Sequence, residues 1–591
     1  MELSLSLSEF PASISLHPML RKSTLFSFLA VFFTLSACSE PLSSAPNAAR
    51  SSDGNALLLS DTRQTTAGYD HWAEMSSEDL WAHVAALDST VTVGLKAPGA
   101  ARGVDDRGRA LLDPSLWEPL TGQLIDAVGA TLLYVDDLHP FVDLRIGGMG
   151  SVRALRALPY VAYVEPASFD PSDVLMSSCE ADATASGEIE PPGDLVPHTL
   201  LRHRVRPAWQ LATGAGIKIG VVDTGTSVYQ PQLQSEFADG QSSGRSIAYD
   251  FTDANGNSGP PEWNDTNSHG TKILGLAAAP RDGKNVVGVA YAADAVGIRS
   301  LDGVFAGPGR WGEVREGIRR AADKGLFDSD IVNMAWGWSW GNTSVASTIE
   351  YYHDDPDHNT LFIGAAGTCA DSVTDVVFPA DMPEVVAVTG LAPSGTSPCS
   401  LCHYGPQVEF AAYTTGQTTG LNENQISRIG GSSGATAIVS GIAALVWSRD
   451  LTQTRAQVLQ RLRNAARFKS NRQSDIGYGE INALLAVGGF IAGFYGPDEV
   501  DQSGTYNYSI AVIGGHGPFT YQWANNPSTA PSASFTFTQQ PDDYTEQLEV
   551  TVTDTSTGYS STYRYDVVVK GTNSGGPGGP GDGNCGNGIP C

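Results

Sequence analysis

Three widely separated residues carry the side chains of a nucleophilic acyl-transfer device: Asp223 in IGVVDTGT, His269 in NSHGTKILGLAAA and Ser433 in GGSSGATAIVSG. A serine hydroxyl is a weak nucleophile at neutral pH and needs a base within hydrogen-bond reach. Imidazole, whose pKa lies near physiological pH, can take that proton and later give it to a leaving amine. A carboxylate behind the imidazole holds its tautomer and stabilises the imidazolium. The rival reading of Ser432 and Ser433 is structural. They precede the apolar run Ala435–Trp447, and a serine in that place commonly caps the free N–H groups of a helix. On that segment alone the cap is the better reading; the surrounding elements shift the balance.

Residues 195–489 alternate short, nearly continuous apolar runs (IKIGVVD, AVGIRS, DIVNMAW, TLFIGAA, EVVAVTG) with helical stretches. Such runs suit parallel strands covered by helices on both faces. Asp223 then stands at the C-terminal end of a buried strand, where the functional groups of open α/β sheets gather. His269 and Ser433 each open an apolar helix rich in small residues. A helix N-terminus offers positive potential to a developing oxyanion, and the Ser433 N–H is one expected donor.

Upstream, residues 85–168 read strand–helix–strand–strand–helix–strand: TVTVGLK, a helix opened by Asp113-Pro114 and running to about Val128, TLLYV, FVDLRI, the short helix SVRALRAL, and YVAYVEP. That is the ferredoxin-like α+β order. Downstream, residues 490–570 turn to Tyr/Thr/Ser-rich alternation (GTYNYSIAVIG, FTYQWAN, ASFTFTQ, EQLEVTVTD, YRYDVVVK), the pattern of a small Ig-like β-sandwich. Residues 39–80 and 169–194 are linker-like, and 571–591 form a Gly/Pro-rich tail. The expected architecture is α/β: a helix-flanked parallel sheet, preceded by the ferredoxin-like unit and followed by the sandwich.

The 591-residue chain has room for several domains. Acidic residues outnumber basic ones, 64 to 35, for a net charge of -29. That balance repels nucleic acid and anionic membrane surfaces, so neither is an expected partner. Arg21, Lys22, the apolar run Leu25–Leu35 and the sequence Leu35-Ser36-Ala37-Cys38 make residues 1–38 an export signal. The run is too short to span a bilayer. Leu-Ser-Ala-Cys resembles the bacterial lipobox, which implies lipidation of Cys38 and a lipid anchor; a plain secretory signal is the alternative. Cys179, Cys369, Cys399, Cys402, Cys585 and Cys591 suggest disulfides whose pairing the sequence leaves open. Cys399-Ser-Leu-Cys402 reads as a structural bridge rather than a metal site, and Cys585 with Cys591 as the closure of a small terminal loop.

The Asp, His and Ser segments, in this chain order, resemble those of the subtilase family of serine proteases, and the 85–168 unit resembles the inhibitory propeptide of subtilisin-like proteases. The order differs from those of the chymotrypsin and α/β-hydrolase triads. The resemblance implies a subtilisin-like fold with Asp223, His269 and Ser433 as the catalytic set. It selects Ser433 over Ser432, because Gly431-Ser432-Ser433 aligns with the family's Gly-Thr-Ser; Ala437 stands where proline is usual. In LFIGAAGT, Thr368 occupies the place of the family's asparagine donor, so the implied oxyanion hole is Thr368 with the Ser433 N–H. Thr368 then donates directly or through water in a slower enzyme, or catalysis is lost. NMAWGW implies a substrate edge at Ala335, Trp336 and Gly337, and GPG an opposing edge with Gly307 and Gly309, both able to extend a peptide by strand pairing.

Calcium is common in the family, and the loop Pro280–Ala290 with Asp282 is its implied place. Gln232 stands where a second carboxylate is expected, so metal ligands remain unassigned; the chemistry itself requires no cofactor. Together these features imply an exported serine endopeptidase acting on proteins or peptides. It would be made as a proenzyme that cuts itself within Ala167–His198, with its own propeptide as a partner. The alternative is a catalytically impaired, surface-binding lipoprotein that works through the sandwich; Thr368 and the aromatics Tyr506, Tyr508, Tyr521 and Trp523 motivate it, although aromatics at strand spacing fit a sandwich core better than a binding platform.

Overall fold

The structure, a computed structural model, describes residues 71–96, 117–136, 139–169, 187–190, 193–252, 262–301, 309–338, 341–355, 357–368, 374–414 and 416–572. The expected signal with Cys38, and Gly307, Cys179, Cys369, Cys585 and Cys591, lie outside the described residues.

The described chain opens with a single helical turn at His71–Glu74 and then helix α1 (Ser77–Ala86), which begins inside the stretch 39–80 read as linker-like. Ser76 caps it, its side chain accepting from the Asp79 N–H at 3.1 Å, and Leu80 and Val84 are fully buried. Just before it, Trp72 is buried and its Nε1 donates to the Gly341 carbonyl at 2.9 Å. The polar composition of this stretch hid a short amphipathic helix. Strands β1 (Thr90–Leu95), β2 (Thr131–Val135), β3 (Phe141–Arg145) and β4 (Val161–Pro166) follow. They form one sheet in the order β2-β3-β1-β4, every pair antiparallel. Helix α2 (Glu118–Val128) joins β1 to β2, and α3 (Met149–Ala157) joins β3 to β4, the expected ferredoxin-like order. Gly129 ends α2 in the left-handed region at φ 65°, a conformation glycine adopts without strain. Asp113 and Pro114 lie outside the described residues. A two-residue strand, β5 (Ser168–Phe169), leaves this unit, and a hairpin of β6 (Gly187–Glu190) and β7 (Asp194–Pro197) precedes the next.

The main sheet uses β8 (Lys218–Asp223), β9 (Ile247–Phe251), β10 (Asp294–Arg299), β12 (Ile331–Met334), β13 (Leu361–Ala365), β14 (Val385–Leu391) and β15 (Val408–Tyr413); the short β11 (Gly309–Arg310) stands apart. Its order is β15-β14-β13-β12-β8-β10-β9, and all pairings are parallel. All five apolar runs became central strands, as an α/β fold requires. The two strands not singled out, β9 and β15, are the edges. In β9 no residue is fully buried, so its apolar signal is weak.

The alternation of side chains explains the layers. Val221, Ile331 and Leu361 face a core shared with α4 (His269–Ala278) and α7 (Gly431–Trp447). Their neighbours Val222, Val332 and Phe362 face a second core, shared with α5 (Trp311–Ala322) and α6 (Thr343–Asp354). Helix α7 is buried along its whole length, and a hairpin of β16 (Gly416–Thr419) and β17 (Ile426–Ile429) leads into it. This doubly covered parallel sheet is an α/β subtilisin-type architecture.

The C-terminal region is a two-sheet sandwich. Strands β18 (Phe490–Tyr495), β20 (Thr505–Gly514) and β22 (Ser532–Thr536) make one sheet; β19 (Glu499–Asp501), β21 (Phe519–Trp523), β23 (Tyr544–Asp554) and β24 (Ser560–Lys570) make the other. Tyr508 and Trp523 are buried between them, and Tyr506 and Tyr521 pack half-buried against the same core. These aromatics are packing residues, which removes the feature that suggested a binding platform. Among the described residues no helix is long and apolar enough to cross a membrane.

Candidate active site

The buried strand β8 ends at Asp223, which is fully buried, and its Oδ1 accepts the Thr224 N–H at 2.7 Å. His269 is the first residue of α4, and its Nδ1 lies 2.8 Å from Asp223 Oδ1 and 3.0 Å from Oδ2. With Nδ1 engaged, Nε2 is the ring nitrogen left for proton transfer.

A residue missed by sequence reasoning holds this pair together. Asp265 is buried; its Oδ1 accepts from the N–H groups of Asn267 and Ser268, at 2.9 and 2.8 Å, and from the Thr224 hydroxyl at 3.0 Å. Its Oδ2 accepts from the Thr271 N–H at 2.9 Å and the Thr271 hydroxyl at 2.6 Å. Thr224 Oγ1 in turn accepts from the Gly270 N–H at 2.9 Å. One carboxylate therefore ties the end of β8 to the start of α4. An acid four positions before the histidine that opens a helix was the available signal. Gly270 permits the close approach: a Cβ there would sit 2.4 Å from the Gly225 carbonyl oxygen.

Neither serine caps α7, whose N-cap is Gly430 with no side-chain hydrogen bond. Ser433 Oγ donates to the Ala335 carbonyl at 2.8 Å, and no hydrogen bond joins it to His269. Among the described residues the Ser433 N–H has no acceptor. The acid–imidazole half of the device is assembled, while the alcohol rests on a backbone carbonyl just beyond β12.

Thr368 follows β13 and is bound to Ser432. Its Oγ1 accepts the Ser432 N–H at 2.9 Å and lies 2.9 Å from Ser432 Oγ, which accepts the Gly367 N–H at 3.1 Å. From behind, the His403 N–H donates to the Gly367 carbonyl at 2.9 Å, and Thr368 bridges Cys402 in antiparallel fashion. Cys399 and Cys402 are joined as a disulfide, so a closed loop backs this turn.

Of the expected substrate edges, Ala335 presents the carbonyl that Ser433 occupies. The Trp336 side chain is not part of a subsite. It is 1% exposed, its Nε1 donates to the Val222 carbonyl at 2.8 Å, and it packs beside Trp338 in the second core. Strand alternation turned it away from the serine's side, so only its backbone remains available to a peptide. At Gly337 a Cβ would meet Val377 at 2.2 Å, so the neighbouring segment packs close there. At the opposing edge, β11 pairs antiparallel with β5: Gly309 faces Phe169 and Arg310 faces Ser168. The Trp311 N–H extends the pairing to the Ala167 carbonyl at 3.0 Å. The residues just after the ferredoxin-like unit thus add a strand to that edge.

An acid and an imidazole meet here at the start of the buried helix α4, and the serine opens a second buried helix, in the chain order Asp, His, Ser. Residues 214–479 match the family described as the subtilase family. The chain is 32% identical over 256 residues to the "Thermostable alkaline protease" of Halalkalibacterium halodurans, covering 43% of this chain and 63% of that protein. It is 27% identical over 281 residues to "Thermitase" of Thermoactinomyces vulgaris, covering 47% and 91%. It is 30% identical over 286 residues to "Halolysin" of Haloferax mediterranei, covering 47% and 51%. The chain therefore spans less than two thirds of the alkaline protease and of halolysin.

The ferredoxin-like unit meets the subtilase-matching region through buried charge. Arg315 of α5, 1% exposed, forms ion pairs with Asp136 at 3.1 Å and Asp143 at 3.4 Å. Burial alone would raise the Asp136 pKa, but the His139 hydrogen bond and the Arg315 charge overrule it and hold it at about 2. Glu165 of β4, fully buried, accepts the N–H groups of Thr343 and Ser344 at the start of α6, at 2.9 and 3.1 Å. Burial raises its pKa to about 7 against the pull of those amides.

In the loop Pro280–Ala290, Gln232 Nε2 lies 3.5 Å from both Asp282 Oδ1 and the Val286 carbonyl. Gln232 Oε1 and Asp282 Oδ2 are buried without a hydrogen-bond partner. Asp194 Oδ1 accepts the Gly283 N–H of the same loop at 2.7 Å, so a second carboxylate borders it. Among the described residues no group of three or more His, Cys, Asp or Glu side chains could hold a metal.

Proposed function

We propose that this chain is an exported serine endopeptidase of subtilisin type, made as a self-processing proenzyme. The bond between His269 Nδ1 and Asp223 at 2.8 Å is the observation that carries the reading, and the Ser433 hydroxyl, bound to the carbonyl just beyond β12, the strand paired with β8, supports it. In the cycle, substrate displaces the Ser433 hydroxyl from the Ala335 carbonyl. His269 Nε2 takes the hydroxyl proton as Oγ bonds to the scissile carbonyl carbon. The Ser433 N–H and the Thr368 hydroxyl stabilise the resulting oxyanion. The C–N bond then breaks, the amine leaves with the proton from His269, and water hydrolyses the acyl-enzyme by the reverse sequence.

The ferredoxin-like unit is the propeptide in this reading. The pairing of β5 with β11 supports it, because a strand leading directly from that unit occupies the edge where a peptide would bind. Ala335 and Gly337 supply the facing edge through their backbone, substrates are proteins or peptides, and Cys38 is the site of lipid attachment after export. Cleavage between Ala167 and His198 separates propeptide from enzyme. A fluorophosphonate probe tests the reading: it should label the wild type and spare Ser433→Ala, and intact mass should show processing in the wild type alone.

One observation favours the second reading, a catalytically impaired binding protein: the Ser433 hydroxyl is held by Ala335 rather than by His269. Correctly folded wild type that resists the probe and stays unprocessed would establish that reading instead.

A further inference from the structure

We infer that Ser432 is a positioning residue that turns the Thr368 hydroxyl proton outward, making Thr368 the side-chain donor to the oxyanion. The inference rests on the protease reading above.

Proton bookkeeping carries it. An asparagine amide brings donors in a fixed plane, whereas a threonine has one proton on a freely rotating bond. At Thr368 a neighbour must decide where that proton points. Thr368 Oγ1 already accepts the Ser432 N–H, and Ser432 Oγ already accepts the Gly367 N–H. The two hydroxyl oxygens are 2.9 Å apart, so one proton lies between them. If Thr368 supplied it, the Ser432 proton would have no acceptor among the described residues, in a side chain from a residue only 1% exposed. A buried donor left unmet is unfavourable. If Ser432 supplies it, both Thr368 lone pairs are filled and the Thr368 proton is the one left over. Thr368 is 7% exposed, the less buried of the two. The leftover proton therefore sits on the less buried of the two residues, whose Oγ1 contacts Ser432, the chain neighbour of the Ser433 N–H that also lacks an acceptor among the described residues.

The backbone is shaped for this contact. Gly431 has φ 64°, and a Cβ there would lie 2.5 Å from Thr368 Oγ1. Only glycine lets the turn before Ser432 pass so close to Thr368.

The test is steady-state kinetics of the processed enzyme on a chromogenic peptide anilide, with Ser432→Ala, Ser432→Thr, Thr368→Val, Thr368→Asn and the double variants. Removing one oxyanion donor typically lowers kcat about 10²–10³-fold. Thr368→Val should fall in that range. Ser432→Ala, which disorders the donor without deleting it, should lower kcat about 10- to 100-fold with KM within about twofold, and Ser432→Thr should restore most of it. The double variant Ser432→Ala/Thr368→Val should be no slower than Thr368→Val alone. In the Thr368→Asn background, where the donor needs no help, Ser432→Ala should cost less than about threefold. An equal loss from Ser432→Ala in both backgrounds, an additive double variant, or a rise in KM with kcat unchanged would overturn the proposal. Wild type that lacks Ser433-dependent fluorophosphonate labelling would overturn the protease reading and this inference together; labelling with additive variants overturns this inference alone.

Discussion

Raising the pH should loosen the ferredoxin-like unit from the rest of the chain through one side chain. Glu165 is fully buried and caps α6 through two backbone amides. Burial lifts its pKa from an ordinary 4.5 to about 7, with the amides of Thr343 and Ser344 and the charge of Arg315 opposing. A group with a raised pKa stabilises the docked state fully below its ordinary value and loses that contribution as pH climbs through the raised one. The rise to about 7 corresponds to about 3 kcal/mol, at roughly 1.4 kcal/mol per unit. Most of that should disappear between pH 5 and pH 8. The assay is native-state hydrogen exchange of the Thr343 and Ser344 amides in the Ser433→Ala chain, which cannot cut itself in the proposed mechanism. Corrected for intrinsic exchange, the opening free energy should fall by about 2–3 kcal/mol over that range. Glu165→Gln, which keeps an acceptor but cannot ionise, should flatten the dependence. An equal fall in Glu165→Gln, or a flat profile in the wild type, would refute the reasoning.

Three further outcomes are expected. Arg315→Met leaves Asp136 and Asp143 buried without their cation and should destabilise docking by about 3–5 kcal/mol, read by the same exchange experiment, with Asp143→Asn recovering part of the loss. Asp265→Ala removes the carboxylate that ties β8 to α4; it should lower kcat about 10-fold or more and move the acidic limb of the pH–rate profile, because His269 loses its fixed place against Asp223. Gly431→Ala forces a side chain into the left-handed region and against Thr368; kcat should drop at least 10-fold while the melting temperature falls by only a few degrees, as measured by calorimetry.

The five apolar runs foretold the central strands because a parallel strand buried on both faces has no polar alternation to disguise it. The edge β9 escaped notice for the opposite reason, none of its residues being fully buried, and α1 was hidden by a polar composition that two buried residues, Leu80 and Val84, were enough to overcome. The segments around Asp223, His269 and Ser433 stood out through their order along the chain and their resemblance to a known family, since the serine segment alone reads as a helix cap. The chain by itself thus determined which residue types were on offer and which elements would present them, since both follow from local pattern. Only tertiary structure decided who partners whom: Asp265 on Thr224 and Thr271, Thr368 on Ser432, Ser433 on Ala335, Trp336 turned into the core and β5 laid along β11. Those contacts join distant positions, as from Ser168 in β5 to Arg310 in β11, 142 residues apart (310 less 168). Hydrogen bonds and burial at such separations depend on how layers pack, a property that no local stretch of chain contains.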